Sequence, residues 1–482
     1  MPAEASGPRR ANPLKPPERV KIPRQHPIEQ EGRPRGRNFE EVSSGFDVER
    51  ARLEALRCLD CKDPTCVGGC PVNVDIPGFI AHLLEGDVAG AAERIRASNS
   101  LPAVCGRVCP QESQCEAVCK LGKKFDAVAI GQLERFVADQ EAAQGLFQPR
   151  PLREPSGHKV AVVGSGPAGL TCAAELGRRG YSVTVFEALH AAGGVLRYGI
   201  PEFRLPKRIL DEELDRVRAL GVDIQTDVLI GRTIGVDELF DEWGFEAVFL
   251  GTGAGTPAFL GIPGEGLNGV YSANEFLTRV NLMRAWRFPE CDTPVSCGRS
   301  VAVVGGGNTA LDAVRTSLRL GAEKAYLVYR RSRREMPARA EEIRHAEEEG
   351  VDVRLLTNPV RVLGDADGRV TGLECQQMEL GRPDASGRAR PVPVAGSEFV
   401  LEVQTVIEAI GQSPNPIIQQ TTPGLDIGSR GTVTVREGQA TSRPGVFAGG
   451  DLARGGATVI LAMQDGRLAA ASIDKYLQSR PS

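Results

Sequence analysis

Apolar residues three or four positions apart dominate the chain between Phe39 and about Gln148. This spacing is typical of helices that bury one face. It recurs in the stretches FDVERARLEALRCLDC, IPGFIAHLLEGDVAGAAERIRAS and IGQLERFVADQEAAQG. The pattern predicts a small α-helical domain over residues 39–150.

From Lys159 onward the pattern changes to short apolar runs that end in glycine. The stretch KVAVVGSGPAGLTCAAELGRRG is typical of a buried strand, a glycine turn and a helix, and YSVTVFEA follows as a second strand. The same plan recurs in SVAVVGGGNTALDAVRTSLRLG and AYLVYRR. Two such units predict two doubly wound α/β domains.

The end of the chain carries two more glycine-ended strands, TVIEAIG and GVFAGGD, and the helical stretch ATVILAMQDGRLAAASIDKYL. We infer that this tail completes the first α/β domain, so that the second domain is inserted within it. The predicted order is an extended segment over 1–38, the helical domain, the first domain over 157–287 and 407–482, and the second domain over 288–406.

The N-terminal segment differs from the rest in composition. Residues 1–38 contain eight Pro and nine Lys or Arg, with little apolar periodicity. Such a composition predicts few regular elements and an extended segment that lies on a partner surface or in solvent.

Charge and hydropathy exclude several classes of protein. The chain has 58 Lys and Arg against 62 Asp and Glu, which argues against a nucleic acid as partner. Its apolar runs are shorter than the ~18 residues of a membrane span. The opening MPAEASGPRR lacks the apolar core of a secretory signal. We therefore expect a soluble, cytoplasmic protein with reduced cysteines.

Eight of the 12 cysteines fall within residues 58 to 119. They form the patterns C-x2-C-x4-C-x3-C, from Cys58 to Cys70, and C-x3-C-x5-C-x3-C, from Cys105 to Cys119. Thiolates are soft anionic ligands, and an iron–sulfur cubane needs four of them around one cluster. Eight thiols suffice for two clusters. Two zinc sites and disulfides are the alternatives, and the other cysteines, such as Cys172, are expected in packing.

The first glycine turn has the context of a dinucleotide site. Gly164, Gly166 and Gly169 follow the strand VAVV and open a helix whose N-terminus can face a pyrophosphate. Glu187 ends the next strand, where a carboxylate can hold ribose hydroxyls. Gly193-Gly194 and the late strand end at Asp451 favour FAD. The alternative is a glycine turn without a ligand.

The second turn predicts a different nucleotide. It reads Gly305-x-Gly307-x-x-Ala310, an allowed variant of the fingerprint. Where an acid would end the next strand, the chain carries Tyr329-Arg-Arg-Ser-Arg-Arg334. Guanidinium groups can bind a 2′-phosphate, so NADPH is preferred over NADH. A solvated basic surface run is the alternative.

These parts together predict an electron relay. A nicotinamide gives up a hydride, a flavin accepts the electron pair, and iron–sulfur clusters carry one electron at a time. The sequence contains no GxSxG and no HExxH motif and only five His. Hydride transfer depends on the orientation of two rings, so we assign no catalytic acid–base residue.

Further segments make the run from Phe39 to Leu477 similar to one family. They are CGRVCPQ (105–111), AIGQLERF (129–136), LRYGIPEFRLPK (196–207), GGGNTALD (305–312), REMPA (334–338), AIGQSPN (409–415) and GVFAGGD (445–451). The run resembles the small subunit of NADPH-dependent glutamate synthase. That family is shared with the large subunit of NAD-dependent ferredoxin:NADP oxidoreductase and the N-terminal half of dihydropyrimidine dehydrogenase.

The resemblance implies FAD at the first turn and NADPH at the second. The residues expected to bind FAD are Gly164, Gly166, Pro167, Ala168, Gly169, Glu187, Gly194, Leu196, Gly253, Gly450, Asp451 and Thr458. Those expected to bind NADPH are Gly305, Gly307, Asn308, Thr309, Ala310, Arg330, Arg331 and Arg334.

The resemblance also implies two [4Fe-4S] clusters. One is expected on Cys58, Cys61, Cys66 and Cys119, the other on Cys70, Cys109, Cys115 and a fourth ligand. Some relatives use a carboxylate or amide at the position of Glu134, so Glu134 is the expected fourth ligand and Cys105 the alternative. A surface or helix-pairing role is the interpretation of Glu134 without a metal.

The resemblance names two partners. The first is the glutamate synthase large subunit, and the second is a ferredoxin-reductase-like FAD subunit of an electron-bifurcating enzyme. The stretch CKDPTCVGGCPVNVDIPGFI resembles the branch of the second enzyme, or the short archaeal-type glutamate synthase chains, more than the common bacterial glutamate synthase subunit. The sequence lacks an amidotransferase cysteine and an FMN barrel, so glutamate synthesis needs the partner and a hetero-oligomer is expected. A non-catalytic, cofactor-bearing assembly module is the alternative of another class.

Overall fold

The computed structural model describes residues 12–384 and 387–479. Residues 1–11, which include the stretch used to argue against an export signal, lie outside the described residues. In chain order the described residues form a helical region and two parallel sheets flanked by helices, which confirms the predicted α/β fold class. Within those ranges no helix combines the length and apolar character needed to cross a membrane.

The helical region surrounds the clustered cysteines. The helical stretch that begins at Ile76 forms two helices, because Gly86 adopts φ +77° and the Asp87 side chain accepts a hydrogen bond from the Gly90 amide to start a new helix. The helices are Val48–Leu56, Thr65–Gly69, Ile76–Leu84, Val88–Arg96, Pro102–Val108 and Ile130–Ala143, with single turns at Gln111–Ser113 and Lys120–Lys123.

The described part of the N-terminal segment packs on its own chain rather than in solvent. The Arg19 guanidinium donates to the Cys58 carbonyl (3.0 Å), and that of Arg35 to Glu349 (3.1 Å) in the second α/β domain. The segment therefore ties the helical region to that domain, which its composition did not indicate. Its elements are Pro16–Arg19 and Gly32–Arg35, both helical, and the strand Ile28–Glu29, which pairs with Ser43–Gly45.

The first parallel sheet is completed by the tail of the chain, as predicted. Val446–Ala448 pairs with Ala247–Leu250 at one edge, so the second domain is inserted in the first. Within the described residues its order is Val446–Ala448, Ala247–Leu250, Lys159–Val163, Ser182–Phe186 and Val222–Gln225. Its helices are Pro167–Arg178, Val195–Tyr198, Lys207–Arg218, Val236–Asp241, Ile417–Thr421, Asp451–Arg454 and Val459–Gln478, with a turn at Glu437–Gln439.

The second parallel sheet corrects the predicted domain boundaries. Val270–Ser272 pairs with Thr405–Glu408, so this domain begins before 288 and continues past 406. A three-residue strand is too short to show its own periodicity. The order is Asp352–Arg354, Lys324–Val328, Ser300–Val304, Thr405–Glu408 and Val270–Ser272 within the described residues. Its helices are Ala273–Asn281, Asn308–Arg319 and Ala340–Glu349, with turns at Ala285–Arg287 and Arg333–Glu335.

An antiparallel sheet, which the sequence did not predict, covers the second domain. Its strands are Thr357–Gly364, Val370–Pro383 and Ala389–Leu401. The short pair Thr256–Pro257 and Gln412–Ser413 joins the two α/β domains at the points where the chain enters and leaves the inserted domain.

A buried ion network fixes the two α/β domains against each other. Arg204 of the first domain forms ion pairs with Asp312 (2.7 Å) and Glu342 (3.0 Å) of the second. Next to Arg204, the guanidinium carbon of Arg319 lies 3.7 Å from the centroid of the Phe203 ring. These groups are buried, so each charge is satisfied inside the interface rather than by water.

Candidate functional site

Four thiols line a cavity at the edge of the helical region. We call Cys58, Cys61, Cys66 and Cys119 the peripheral thiol set. All four residues are only partly buried. Burial, followed by the neighbouring thiols of the set, raises the pKa of Cys58 to about 12. The structure thus brings together the four residues predicted for one cluster.

A second group of thiols lies deeper. We call Cys70, Cys109 and Cys115 the buried thiol set; Cys109 and Cys115 are buried. Burial, with a smaller contribution from the nearby carboxyl group of Glu134, raises the pKa of Cys70 to about 11. Burial also raises the pKa of Cys115, with added contributions from Glu134 and the other two thiols. The three predicted ligands therefore lie together beside Glu134.

Both candidate fourth ligands meet at one amide. Glu134 Oε1 accepts a hydrogen bond from Asn99 Nδ2 (2.7 Å), and Cys105 Sγ lies 3.6 Å from Asn99 Oδ1. Burial raises the pKa of Glu134 to about 7. Glu134 is buried, so its placement on the surface is wrong. Asn99 was missed because a lone Asn between helices gives no sequence signal.

The thiol sets fit iron–sulfur ligation. Burial raises the pKa of these thiols, so ionising them in place requires a compensating cation, which iron supplies. All twelve cysteines lie in the described ranges and each is a free thiol, so the disulfide alternative is wrong. Cys172 is fully buried in the first α/β domain, as predicted.

The first glycine turn leaves no room for a side chain at its end. A Cβ at Gly169 would lie 1.9 Å from the Gly164 carbonyl oxygen, and Gly164 itself adopts φ +97°. A Cβ at Gly166 would have no neighbour within 4 Å, which leaves this side of the turn open to a phosphate group. Gly194 approaches the same turn, since its Cβ would lie 2.7 Å from Gly166 Cα.

Glu187 is held at the end of its strand by backbone amides. Its carboxylate accepts hydrogen bonds from the amides of Ser165 and Leu189, each at 3.0 Å. Asp451, at the other predicted acidic position, has its pKa raised by burial. Tyr198 was missed by the sequence reasoning. Burial raises its pKa to about 12, and the charges of Glu187 and Asp451 add to the shift, so its phenol faces both acids.

Lys207, also missed, organises the segment LRYGIPEFRLPK. Its Nζ donates to the carbonyls of Leu196 (3.2 Å) and Leu205 (3.0 Å), and burial lowers its pKa to about 7. Leu196 is fully buried against the core of the helical region. This segment therefore connects the predicted FAD site with the thiol-bearing region.

The helix Val459–Gln478 makes a second connection. Thr458 caps its N-terminus. Farther along, Gln464 donates to the Pro71 carbonyl (2.8 Å), and Arg467 donates to the Ser98 carbonyl (2.6 Å). Met463 Sδ lies 3.5 Å from Cys105 Sγ. The middle of this helix thus packs both on the helix that follows the first glycine turn, since a Cβ at Gly466 would lie 2.3 Å from the Ala168 carbonyl oxygen, and on the thiol-bearing region.

The remaining predicted FAD residues border the same turn. Gly450 adopts φ +67°, and its amide donates to Asp465 (3.0 Å). Gly253 adopts φ +69° with open space at its Cβ position. Pro167 and Ala168 are buried in the first turn of the helix Pro167–Arg178.

The second glycine turn repeats the backbone of the first. A Cβ at Gly305 would lie 2.4 Å from the Ala409 carbonyl oxygen, and Gly307 is open. Ala310 is buried, and Thr309 lies beside it in the helix Asn308–Arg319. Asn308 Oδ1 accepts a hydrogen bond from the Arg339 amide (3.0 Å).

The basic run divides into paired and exposed residues. Arg331 is buried and forms an ion pair with Asp384 (2.7 Å), whereas Arg333 pairs with Glu347. Arg330 and Arg334 are exposed. The structure thus separates Arg331, which the sequence grouped with the phosphate-binding residues, from the two exposed arginines.

A buried acid ends the strand Thr405–Glu408 of the second sheet. Glu408 Oε2 accepts a hydrogen bond from the Leu260 amide (3.3 Å). Burial, followed by the charge of Glu265, raises the pKa of Glu408 to about 7. The corresponding strand of the first sheet ends at Leu250. The two sheets therefore share their plan and differ in the groups at their edges.

Two family models match the chain. The model described as dihydropyrimidine dehydrogenase domain II, 4Fe-4S cluster, matches residues 35–146. The model described as pyridine nucleotide-disulphide oxidoreductase matches residues 158–466. Among solved structures, FprA of Mycobacterium tuberculosis in complex with NADPH has a TM-score of 0.56 and 22% identity, covering 67% of this chain and 85% of that chain. This likeness shows the fold.

Curated relatives cover nearly the whole chain. The small chain of NADPH glutamate synthase of Escherichia coli is 38% identical, over 91% of this chain and 94% of its own length. Subunit beta of NADP(+)-dependent formate dehydrogenase of Moorella thermoacetica is 42% identical over 86% of this chain, which spans 60% of that relative's length. Subunit beta of NADPH-Fe(3+) oxidoreductase of Geobacter sulfurreducens is 40% identical over 88% of this chain and 65% of its own length.

Proposed function

The chain belongs to the family of NADPH glutamate synthase small chains and is an NADPH-dependent flavin oxidoreductase with an iron–sulfur domain, and from this premise we propose that it delivers electrons through two [4Fe-4S] clusters to a partner protein. The observation that carries the proposal is the separation of the eight predicted ligands into two groups, one partly exposed and one buried against the FAD domain.

The glycine turns and their neighbours bind the nucleotides. When bound, FAD accepts a hydride from NADPH and releases electrons singly to the clusters. Gly164, Gly166 and Gly169 admit the FAD pyrophosphate to the helix N-terminus, and Glu187 holds the ribose. The turn at Gly305 does the same for NADPH. The remaining roles proposed for FAD lie with Pro167, Ala168, Gly194, Leu196, Gly253, Gly450, Asp451 and Thr458. Those for NADPH lie with Gly307, Asn308, Thr309, Ala310, Arg330 and Arg334, whereas Arg331 is already paired with Asp384.

The residues between the sites support a direction of transfer. The segment around Leu196 packs in one core with Cys109 and Cys115, and the helix Val459–Gln478 contacts Cys105 and the Pro71 carbonyl next to Cys70. The cluster that Cys70, Cys109, Cys115 and Glu134 would hold would therefore receive electrons from FAD first, and the cluster that the peripheral thiol set would hold would pass them on to the partner. The partner docks where that set is partly exposed.

We propose the glutamate synthase large subunit as the partner, in the cytoplasm. The match to the Escherichia coli small chain over 94% of its length supports this assignment, because both chains have the same extent. The whole reaction is then glutamate formation from glutamine and 2-oxoglutarate, with this chain as the reducing subunit.

A second candidate has a different partner. The 42% identity to the formate dehydrogenase subunit beta favours a role as the NADP(H)-binding subunit of a different multisubunit oxidoreductase. The bifurcating NADH-dependent ferredoxin:NADP oxidoreductase is another enzyme of this kind. The electron path within the chain is the same in both cases. Purification of the native complex distinguishes them by the partner that comes with it.

Analysis of the anaerobically purified chain tests the electron path. We expect bound FAD, about eight iron and eight sulfide per chain, and reduction of a viologen dye by NADPH. Cys119→Ser should lower the iron content to about four, whereas Cys297→Ser, a buried thiol outside both sets, should leave it unchanged. A colourless protein that contains zinc, or equal iron in both variants, would contradict the proposal.

A further inference from the structure

We propose that Asn99 is a positioning residue of the buried thiol set: its side-chain amide presents Glu134 as the fourth ligand and keeps Cys105 out of the cluster. The inference rests on the proposed function, because it concerns one of the two proposed clusters. It assigns the choice between two competing ligands to a residue outside both cysteine motifs.

The amide of Asn99 has one possible orientation. The residue is fully buried, and its Oδ1 accepts a hydrogen bond from the Leu101 amide (2.9 Å). A backbone amide can only donate, so the oxygen end must face Leu101. The backbone N–H of Asn99 donates to the Ile95 carbonyl (2.9 Å), which fixes the backbone at the end of the preceding helix. The NH₂ end therefore points to Glu134.

This orientation selects one carboxylate oxygen of Glu134. Asn99 Nδ2 donates to Glu134 Oε1 at 2.7 Å. Oε2 would then be the atom that binds the cluster held by the buried thiol set. A hydrogen bond to a ligating carboxylate orients it and withdraws charge from it. Because the donor is a neutral amide, it does not compete with iron for the carboxylate as a cation would.

The opposite end of the same amide holds Cys105. The Cys105 thiol donates toward Asn99 Oδ1 (3.6 Å), and its sulfur also contacts Met463 Sδ (3.5 Å) on the FAD-domain helix. These contacts hold the Cys105 sulfur at the Asn99 oxygen, so the sulfur must leave that position before it can coordinate a metal. Asn99 thus favours Glu134 with its donor end and disfavours Cys105 with its acceptor end.

The helices that carry the two candidates cannot slide apart to change this choice. A Cβ at Gly106, next to Cys105, would lie 2.7 Å from the backbone of Arg135, next to Glu134. The helices Pro102–Val108 and Ile130–Ala143 are therefore in direct backbone contact. With the backbone fixed, the side-chain hydrogen bonds of Asn99 decide which ligand coordinates.

Two substitutions of Asn99 have opposite expected results. Asn99→Ala removes both hydrogen bonds and releases Cys105, so we expect four thiolate ligands, full iron content, and a changed electron paramagnetic resonance (EPR) spectrum with a lower reduction potential. Asn99→Asp keeps the acceptor for Cys105 and Leu101 but places a carboxylate against Glu134. We then expect loss of one iron and a [3Fe-4S] signal in the oxidised protein.

The thiol variants complete the test. Cys105→Ala should keep the wild-type iron content and EPR spectrum, as should the control Cys172→Ala, another fully buried cysteine. Asn99→Ala/Cys105→Ala should restore the wild-type spectrum, because Glu134 is again the available ligand. If Asn99→Ala does not fold, the Asn99→Asp and Cys105→Ala arms still decide.

Loss of a cluster in Cys105→Ala alone would overturn the inference, and so would Asn99 variants with unchanged spectra and potentials. These outcomes differ from failure of the proposed function, in which the wild-type protein itself lacks about eight iron.

Discussion

The two glycine turns follow one backbone plan, yet their surroundings differ in size and charge. The third position is Gly169 in the first turn, where a Cβ would lie 1.9 Å from a carbonyl oxygen, and Ala310 in the second, where a methyl group is accommodated. The next strand ends with the buried acid Glu187 in the first domain and with arginines in the second. We therefore expect the backbone to bind a pyrophosphate in both turns and the flanking side chains to choose the nucleotide.

The largest effect is expected from exchanging the residues at the third position of the two glycine turns, Gly169 and Ala310. Gly169→Ala forces the first turn open, so we expect protein without flavin and a free energy of unfolding lower by about 1–3 kcal/mol. The reciprocal change Ala310→Gly should cost about 0.5–1 kcal/mol and leave the flavin content unchanged. Flavin absorbance and thermal denaturation measure both. Full flavin content in Gly169→Ala would show that the turns are equivalent.

The second prediction concerns charge at the nucleotide. Replacing the exposed Arg330 and Arg334 by Ala should lower kcat/KM for NADPH about 100-fold, because hydrogen bonds between charged groups contribute about 1.5–3 kcal/mol each. The value for NADH should change less than about threefold. Arg331→Ala is the control, since Asp384 binds that guanidinium. Equal losses with both nucleotides would remove the 2′-phosphate role.

The smallest expected effect concerns Glu408, the acid at the end of the strand Thr405–Glu408 in the second sheet. The pKa of Glu408 is raised to about 7, so the folded state keeps a proton that the unfolded chain releases near pH 4.5. Stability should therefore fall as the pH rises from about 4.5 to 7, by about 1–2 kcal/mol. Glu408→Gln should flatten this dependence.

The midpoint of thermal denaturation at about pH 5.5 and about pH 8 measures the effect of Glu408, at about 1 °C per kcal/mol for a chain of 482 residues. Glu402→Gln, an exposed residue in the same stretch, serves as the matched control. The same pH slope in the wild type and Glu408→Gln would assign the dependence to another group.

The sequence predicted those parts of the fold that have strong local patterns. Apolar strands that end in glycine, such as Lys159–Val163 and Ser300–Val304, identified both α/β domains, and the late strand Val446–Ala448 identified the insertion. It did not predict Val270–Ser272, because three residues show no periodicity. It also missed the antiparallel sheet, whose long strands Val370–Pro383 and Ala389–Leu401 are largely exposed and polar.

The residues of the candidate site likewise divide into those that a local sequence pattern predicted and those that it missed. Cysteine spacing and the glycine turns found residues whose chemistry is local in sequence. Asn99 and Tyr198 act through contacts between distant segments, and Lys207 binds backbone carbonyls of its own segment, so no local pattern indicated them. The pairing of Arg331 with Asp384 likewise depends on an antiparallel strand pair that packs over the second sheet. A basic run seen in sequence cannot show which of its members are already neutralised.

The order of segments along the chain affects assembly on the ribosome. The thiol-bearing region emerges early, whereas the edge strand Val446–Ala448 and the helix Val459–Gln478 emerge last. Until then the first sheet lacks a strand, and the carbonyls of Pro71 and Ser98 lack their donors on that helix. The packing around the thiol-bearing region is therefore completed only when translation is nearly finished, and a chain that terminates early lacks the helix that covers this region.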